Sequence, residues 1–323
     1  MPAAGALAQG PHAPAAGFRY GAPVTVYRTR FAPSPTGQMH LGHARTHLVA
    51  WLRARDAGGR VLMRIEDLDR PRVVEGAAEG LLRDHEWLGL DWDEGPLRQS
   101  TRSARYEEAL DVLRAAGRAY PCTCSRKDIA QAASAPHDRE PVYPGTCREG
   151  PTQPWRPRAW RFRVEDADRR GFEDGVLGAV PPPAPDAMGD FVLRRADGLF
   201  AYQLAVTVDD ADEGVTEVVR GADLVASTPR QLALYRALGL RAPAFAHVAL
   251  AVDGQGRRLA KRDGAQSIAS LRAAGVSPER ILGALACSLG LTASAAPVSL
   301  AELRGRLDLS RLPPGPARLA LAG

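Results

Sequence analysis

The chain has 323 residues, of which 45% are hydrophobic and 24% charged, a composition typical of a globular protein with one large or two medium domains. No apolar run approaches the ~18 residues that a membrane-spanning helix needs, so the sequence predicts no membrane span. The formal net charge is +5 and the sequence pI is near 9.3, which suits a polyanionic partner and equally a merely basic soluble protein.

Two features of the composition narrow the class of protein further. The first 23 residues are rich in Ala, Gly and Pro without a basic start or a continuous apolar core, so we interpret them as a disordered leader rather than a secretory signal. Four cysteines are too few for a disulfide framework in a chain of this length, and we therefore expect a reducing, cytoplasmic location.

Strands and helices alternate over the first 119 residues. This alternation favours a parallel sheet with crossover helices. In chain order we predict a strand over Val24–Phe31, a helix from Ala44 through Leu48, Trp51 and Leu52 to Gly58, a strand over Arg60–Asp67, a helix through Leu81, Leu82 and Leu88, and a helix through Tyr106, Ala109, Leu110 and Leu113 with Ser100 or Thr101 as its cap and Gly117 as its stop.

The second part of the chain begins with a change of character. Residues 120–188 are rich in proline and predict an inserted or irregular subdomain. The apolar run Leu199–Val208, followed by two acids, is typical of a buried strand. Further on we predict a strand ending near Arg220, a helix with Ser227 or Thr228 as cap, Pro229 in its first turn and Gly239 past its end, a helix starting at Ser277-Pro278, and a C-terminal tail.

The stretch RFAPSPTGQMHLGHAR, from Arg30 to Arg45, joins the first strand to the first helix through glycines. Such a junction is the usual place for a phosphate at a helix N-terminus, yet the P-loop and dinucleotide patterns are both missing. His40 and His43 would point two imidazoles at the phosphate oxygens, and Gly42 would let a flat ring pack against the backbone. On these residues alone, two surface histidines in a turn are the alternative.

FAPSPTGQMHLGHAR resembles the HIGH motif of class I aminoacyl-tRNA synthetases in its glutamyl and glutaminyl form, and RLAKR (Arg258–Arg262) resembles the KMSKS loop of that class. The chain has only two lysines, Lys127 and Lys261. The resemblance places Lys261 at the catalytic lysine, so that His40, His43 and Lys261 would be catalytic and would bind ATP together with Gly42. Arg258, Ala260 and Arg262 depart from the KMSKS pattern, and Ala260 cannot donate a hydrogen bond as a serine would.

The charge of glutamate, two carboxylates and one ammonium, calls for a site with about two guanidiniums and one acid. Arg30, Glu66, Tyr202 and Arg220 fall at predicted strand ends, where open α/β sheets bind ligands, although each taken alone could be a surface residue. The resemblance implies that the glutamate site consists of Arg30, Phe31, Ala32, Pro33, Ser34, Glu66, Tyr202 and Arg220.

Cys122, Cys124 and Cys147 lie close together in the Pro-rich region. Thiolates bind Zn²⁺ tetrahedrally, and a small subdomain with little core gains folding energy from such a site; three unbound thiols are the alternative. The family resemblance implies one structural Zn²⁺ with the Tyr143 oxygen as the fourth ligand, and His137 is the rival for that position.

The resemblance implies an α/β fold, a Rossmann-like class I catalytic domain carrying an inserted zinc-bearing subdomain. The expected division is leader 1–23, catalytic halves 24–119 and 189–255, insert 120–188, KMSKS-like loop and helical stem-contact region 256–310, and tail 311–323. Because few residues follow Arg262, we expect no anticodon-binding domain.

This short form resembles the glutamyl-Q tRNA(Asp) synthetase branch of the family, as does Ala222-Asp223 in RGADL. The branch activates L-glutamate with ATP, with Mg²⁺ assisting, and transfers it to queuosine in the anticodon stem-loop of tRNA(Asp). We expect the same of this chain, acting as a monomer. A short synthetase charging a tRNA 3′ end and a non-catalytic tRNA-binding paralogue are the alternatives.

Overall fold

The computed structural model describes residues 26–125, 127–129, 142–252 and 267–319. The predicted leader, His137 and the KMSKS-like residues Arg258–Arg262, with Lys261, lie outside these ranges. In the described part of the chain no helix is long and apolar enough to cross a membrane.

The described strands are β1 (Arg28–Phe31), β2 (Arg60–Ile65), β3 (Glu94–Arg98), β4 (Ala119–Cys122), β5 (Ala159–Phe162), β6 (Phe172–Asp174), β7 (Gly178–Val180), β8 (Phe191–Arg194), β9 (Glu217–Gly221), β10 (Ala244–Val248), β11 (Ala251–Val252) and β12 (Ala317–Arg318). The helices are α1 (Leu41–Asp56), α2 (Ala77–Trp87), α3 (Ser103–Ala115), α4 (Tyr202–Asp212), α5 (Thr228–Ala237), α6 (Ile268–Ala273), α7 (Pro278–Ser288) and α8 (Leu300–Leu303).

Parallel strands form the part of the fold that positions the site. β1, β2 and β3 make one parallel sheet, with Arg30 opposite Leu62. β9, β10 and β6 run parallel in a second sheet, with β7 antiparallel at its edge. The amide of Arg28 donates to Thr216 Oγ1, and the amide of Thr216 donates to the carbonyl of Arg28, each at 2.9 Å, so β1 lies beside the start of β9. The predicted parallel sheet with crossover helices is confirmed.

One predicted element is wrong in type. The run Leu199–Val208 is not a strand: α4 begins at Tyr202 and continues to Asp212. Every residue from Leu204 to Asp210 is buried, so the sequence shows neither the alternation of a half-buried strand nor the polar stripe of a surface helix. A short continuous apolar run fits a buried helix as well as a buried strand, and here it is the helix.

Two predicted helix starts are confirmed, at Ser227 for α5 and at Ser277 for α7, and the predicted start of α3 is wrong. Ser277 accepts a hydrogen bond from the amide of Arg280 at 3.3 Å and begins α7 as predicted. The expected cap of α3 is wrong, because Ser100 and Thr101 lie in a 3-10 turn and Arg102 occupies the N-cap. The Ser100 hydroxyl donates to Asp67 instead, at 2.7 Å, which fastens this turn to the end of β2.

The Pro-rich region, residues 120–188, is more regular than predicted. β4 and β5 pair antiparallel with each other, and β5 pairs with β8, so this three-stranded sheet joins residues on both sides of position 188. β6, also within the region, pairs parallel with β10 in the second parallel sheet. The chain therefore leaves the parallel sheets, builds a separate antiparallel sheet and returns.

Two large apolar clusters hold the fold together. The first lies under α1, where Leu48 and Leu52 pack with Leu285 of α7. The second lies between α3 and α4, around Tyr106 and Leu204. The residues expected to form a tail also take part, since β12 pairs with β11 and Leu319 is only 6% exposed in the first cluster.

Candidate active site

Two imidazoles stand at the N-terminus of α1, where the sequence predicts a phosphate site. His40 is the N-cap residue, and its Nδ1 accepts from the amides of Gly42 and His43 at 3.1 and 3.3 Å. The rings of His40 and His43 stack with their centroids 3.7 Å apart. Because Nδ1 of His40 is an acceptor, the proton of the neutral ring is on Nε2, which makes this nitrogen a donor.

Gly42 gives the His40 ring its room. A Cβ atom at this position would lie 3.0 Å from both Cε1 and Nδ1 of His40, a closer approach than most Cβ atoms make, so the ring would have to shift. The flat ring that packs against the glycine backbone is therefore an imidazole of the same motif.

The segment that follows the KMSKS-like residues lies against the first motif. Ser267 and His40 form an isolated antiparallel β-bridge, and the amide of Ile268 donates to the carbonyl of Met39 at 2.8 Å. Lys261 is outside the described residues, but the chain re-enters the described part six positions later beside His40. The described segment that follows the second motif in the chain is therefore in contact with the first motif.

Arg30 lies at the end of β1, and its side chain is 4% exposed. Its Nε donates to Asp210 at 3.2 Å and its Nη1 to the carbonyl of Val219 at 3.2 Å. Asp210 also pairs with Arg64 at 2.8 Å. The Asp210 carboxylate thus binds the guanidiniums of both Arg30 and Arg64. The orientation of the Arg30 side chain is therefore set before any ligand binds.

Arg220, on β9, is buried among uncharged groups. Its Nη1 donates to Gln231 Oε1 at 2.8 Å and its Nη2 to Thr228 Oγ1 at 2.8 Å. Longer contacts of 3.4 Å reach the Tyr202 hydroxyl and the Leu224 carbonyl. Burial lowers the pKa of Arg220, because the charged form loses hydration. An anion bound against Arg220 would compensate for the lost hydration.

Tyr202 and Glu66 interact with the charges of these arginines. Burial raises the pKa of the Tyr202 phenol, and the charges it responds to are those of Arg220, Glu66, Arg30 and Asp210, in that order. Burial also raises the pKa of Glu66, while the neighbouring Arg64 and Arg30 oppose that rise. Arg30, Glu66, Tyr202 and Arg220, four residues the sequence selects, are therefore brought to one site.

The remaining residues of the first motif have different surroundings. The Phe31 ring is fully buried in the core against His47 and His85, so its side chain faces away from the site. The carbonyl of Pro33 accepts from the amide of Glu66 at 3.0 Å, which ties this loop to the end of β2. Ser34 is exposed and Ala32 partly exposed.

The three cysteines of the Pro-rich region converge. The Sγ atoms of Cys122, Cys124 and Cys147 all lie within 4.8 Å of one another, with Cys124 and Cys147 3.6 Å apart. The Tyr143 hydroxyl lies 3.3 Å from Cys122 Sγ and 3.6 Å from Cys124 Sγ. Four ligands around a tetrahedral Zn²⁺ at about 2.3 Å would be spaced by nearly these distances, so the donor set fits a metal.

Sequence reasoning missed the residues that hold the arginines in place. Asp210, Gln231 and His247 come from elements far apart in the chain, and their contact with Arg30 or Arg220 exists only once the sheet is assembled. AFAHVAL, around His247, is a short apolar run interrupted only by the histidine, which is typical of a buried strand, and this was the available signal. The register of β10 against β9 places His247 directly beside Arg220.

Chemically, the site offers a place with two guanidiniums and a place with two imidazoles at the N-terminus of α1. Arg30, Arg220 and the Tyr202 hydroxyl can bind a carboxylate, and Glu66 can accept from an ammonium group. The N-terminus of α1 with His40 and His43 can donate to phosphate oxygens. Such an arrangement can join a carboxylate to a phosphate by positioning and electrostatics alone.

Residues 26–302 match a protein-family model described as tRNA synthetases class I (E and Q), catalytic domain. The chain is 50% identical over 308 residues to a glutamyl-Q tRNA(Asp) synthetase of Symbiobacterium thermophilum, covering 90% of this chain and 95% of that protein. It is 47% identical to one of Nitratidesulfovibrio vulgaris, covering 90% of this chain and 94% of that protein.

The fold is similar to that of a solved glutamate tRNA ligase from Elizabethkingia meningosepticum in complex with its amino acid. The TM-score is 0.79 at 28% sequence identity, and the alignment covers 92% of this chain and 67% of that chain.

Proposed function

This chain belongs to the class I tRNA synthetases of the glutamate and glutamine branch, and we propose that it activates L-glutamate with ATP and transfers it to queuosine in the anticodon of tRNA(Asp). It is a ligase of the class I aminoacyl-tRNA synthetase type. The observation that carries the choice of acceptor is the 50% identity to a glutamyl-Q tRNA(Asp) synthetase across 95% of that protein.

The first step joins glutamate to AMP. The α-carboxylate of glutamate attacks the α-phosphorus of ATP, and pyrophosphate leaves. Arg220, Arg30 and Tyr202 hold the glutamate, while Glu66 accepts from its ammonium group. His40 and His43 donate to the phosphate oxygens that gain charge, and Lys261, from the KMSKS-like loop, stabilises the departing pyrophosphate; Mg²⁺ accompanies ATP.

The second step forms an ester on the modified base. A hydroxyl of the queuosine cyclopentene ring attacks the activated carbonyl of glutamyl-adenylate, and AMP leaves. No nucleophile of the enzyme is required, since the adenylate is already a good acyl donor. The mouth of the parallel strands must then receive an anticodon loop, a single-stranded segment from which one base can be splayed out.

We propose that the cysteine cluster binds one structural Zn²⁺ through Cys122, Cys124, Cys147 and the Tyr143 oxygen. The hydroxyl distances of 3.3 and 3.6 Å from two of the sulfurs support Tyr143 as the fourth ligand. When bound, the metal would cross-link the loop after β4 to the loop before β5, far from the reacting groups.

The zinc proposal is tested by metal content. We expect one zinc per chain in the wild type, a loss in Cys147→Ser, and a much weakened affinity against a chelator in Tyr143→Phe. His137→Ala is the matched control and should keep its zinc. Loss of zinc in His137→Ala with full retention in Tyr143→Phe would instead assign the fourth position to His137.

The function itself is tested by transfer of labelled glutamate to RNA in the presence of ATP. We expect label on queuosine-containing tRNA(Asp) and none on unmodified tRNA(Asp) or on tRNA(Glu). Label on tRNA(Glu) that disappears after periodate oxidation of its 3′ end would identify an ordinary charging enzyme. The modified tRNA stays untreated, because periodate also cleaves the queuosine diol.

The two lysines provide a matched pair for the activation step. Lys261→Ala should abolish glutamate-dependent ATP–pyrophosphate exchange, whereas Lys127→Ala, which changes an exposed lysine, should leave it intact. Equal exchange in both variants would contradict the assigned role of Lys261.

We further propose that the enzyme works in the cytoplasm, where tRNA and ATP are available. We also propose that it works as a monomer, which size-exclusion chromatography would test.

A further inference from the structure

A buried carboxylate–imidazole pair lies behind Arg220. His247 on β10 and Asp174 at the end of β6 are in contact through Nδ1 and Oδ2 at 2.5 Å, and both side chains are fully buried. On the other edge of the ring, His247 Nε2 accepts from Arg220 Nε at 3.0 Å. Asp174, His247 and Arg220 thus form a continuous hydrogen-bonded row across three parallel strands.

The donors in this row fix the tautomer of His247. The Nε–H of Arg220 can only donate, so Nε2 of His247 must be an acceptor. The ring proton is then on Nδ1 and is donated to the Asp174 carboxylate. The Thr228 hydroxyl lies 3.2 Å from Nε2 and fits the same assignment. Its oxygen accepts from Arg220, so its proton can be donated to Nε2. Burial lowers the pKa of His247, which keeps the ring neutral.

A neutral acceptor has a particular consequence for Arg220. A carboxylate at the same place would orient the guanidinium equally well but would also offset its charge. Asp210 offsets only part of the Arg30 charge, because it is shared with Arg64. With His247, Gln231 and Thr228 as partners, the group is held in one plane and keeps its charge available. Its two 3.4 Å contacts, to Tyr202 and to the Leu224 carbonyl, are the ones that an incoming carboxylate can replace.

We propose that the Asp174–His247 pair is a positioning device that holds Arg220 in place while leaving its positive charge for a carboxylate of the amino acid substrate. This inference rests on the proposed activation of glutamate. It adds two positioning residues, neither of which touches the substrate. It also explains why the His247 side chain separates the buried acid, Asp174, from Arg220.

Asp174→Asn is a sharp test because the backbone dictates which way the amide points. Asp174 Oδ1 accepts from the amides of Val176 and Leu177, both at 3.0 Å, and from that of His247 at 3.1 Å. The oxygen of an asparagine must stay on these donors, so its NH₂ group faces His247 Nδ1. That nitrogen then has to accept, the ring proton moves to Nε2, and two N–H groups oppose each other at Arg220.

The measurement is glutamate-dependent ATP–pyrophosphate exchange, with KM determined separately for glutamate and for ATP. We expect Asp174→Asn to raise the KM for glutamate about tenfold or more, as loss of a hydrogen bond to a charged group predicts, and to leave the KM for ATP unchanged. His247→Gln can still present an acceptor oxygen to Arg220 and should change the KM for glutamate less than His247→Leu, which presents none.

The double variant separates positioning from general damage to the fold. A glutamine has no ring tautomer, so Asp174→Asn should have a smaller effect in the His247→Gln background than alone. Asp111→Asn, the same change at an exposed ion-paired acid, is the matched control and should alter neither KM.

Three results would overturn the inference: an unchanged KM for glutamate in both Asp174→Asn and His247→Leu, an equal rise in the KM for ATP, or strictly additive effects in the double variant. If Asp174→Asn does not fold, the comparison of His247→Gln with His247→Leu still decides. A wild-type enzyme without any glutamate-dependent exchange is a different failure, since it would remove the proposed function itself.

Discussion

Arg64 shows how closely the buried charges of this protein depend on one another. Its guanidinium is fully buried and lies 2.6 Å from Glu213, 2.8 Å from Asp210 and 3.3 Å from Glu66. Asp210 in turn directs Arg30 toward the site. A single arginine on β2 therefore compensates the acids that orient the proposed glutamate-binding cation.

We expect Arg64→Met to lower the free energy of unfolding by about 3–5 kcal/mol, because it removes the ion pair of Glu213 and leaves Asp210 with Arg30 as a weaker remaining partner. Urea unfolding at neutral pH measures this. The matched control is Arg72→Met, which removes an arginine whose side chain is 74% exposed and should change the stability little. A loss in Arg64→Met no larger than that of the control would show that solvent reaches the acid cluster.

Behind the first motif, His47 and His85 are hydrogen-bonded at 2.8 Å. Nδ1 of His85 lies 2.8 Å from the carbonyl of Leu81, which can only accept, so this nitrogen carries the proton and Nε2 accepts from His47. The two imidazole rings stack with their centroids 4.8 Å apart, and the Phe31 ring lies tilted against both. The arrangement requires a neutral His85, and burial lowers its pKa from 6.5 to about 4.

This depressed pKa predicts a loss of stability in acid. Below pH 6.5 the unfolded chain binds a proton at His85 while the folded chain does not, so the contribution is complete above 6.5 and is lost as the pH falls toward 4. The loss is at most about 3 kcal/mol. His85→Gln keeps an acceptor for His47 and cannot titrate, so urea unfolding at pH 7.5 and 4.5 should show the wild type losing more than the variant. Parallel losses in both proteins would contradict the shift.

At the scale of the elements, two helical glycines differ in their surroundings. A Cβ atom at Gly283, in α7, would overlap the backbone carbonyl of Ala296, so α7 and the loop after it approach more closely than any other residue permits. At Gly80, in α2, the nearest atom to such a Cβ is the end of the Arg83 side chain at 4.0 Å. One glycine is required by packing and the other is not.

We therefore expect opposite effects from the same substitution. Gly283→Ala should destabilise the protein by about 1–3 kcal/mol, since the backbone must move apart. Gly80→Ala should stabilise it by about 0.5–1 kcal/mol, because alanine favours the helix and nothing obstructs its methyl group. Urea unfolding of both variants decides, and stabilisation by Gly283→Ala would mean that the loop at Ala296 adapts freely.

The sequence predicts local structure wherever a pattern or a cap is local. The parallel pairing of β1 and β2 follows from the alternation of strands and helices along the chain. The helix α7 follows from Ser277, Pro278 and the helical spacing of its apolar residues. α4 was predicted as a strand because burial on all sides removes the periodicity that separates the two structures. The type of a fully buried element depends on what surrounds it, and the local pattern does not contain that.

The same distinction applies to the site. Arg30, Tyr202 and Arg220 were recognisable as cations and a donor at element ends, and the structure brings them together. Their partners Asp210 and His247 were not, because each contact joins residues on separate elements far apart in the chain. Only the assembled sheets show which of the many acids and histidines form hydrogen bonds with these arginines.

On the scale of the whole molecule, the proposed reaction requires the anticodon loop to reach the site at the mouth of the parallel strands. The net charge is only +5, so nonspecific attraction to a polyanion is moderate. In the proposed reaction the acceptor is distinguished by its base, whereas phosphate contacts only fix the orientation of the stem-loop. Affinity and selectivity should then respond differently to salt.

We expect the affinity for the tRNA(Asp) anticodon stem-loop to fall with increasing salt, each neutralised phosphate adding about 0.7–0.9 to the slope of log K against log salt. The slope should be the same for queuosine-containing and unmodified RNA, because the two share their phosphates. Fluorescence anisotropy at several salt concentrations measures both slopes, and labelled-glutamate transfer measures selectivity under the same conditions. If high salt erased the preference for the modified RNA, the backbone and not the base would be selecting the acceptor, and the proposed placement of queuosine in the site would be wrong.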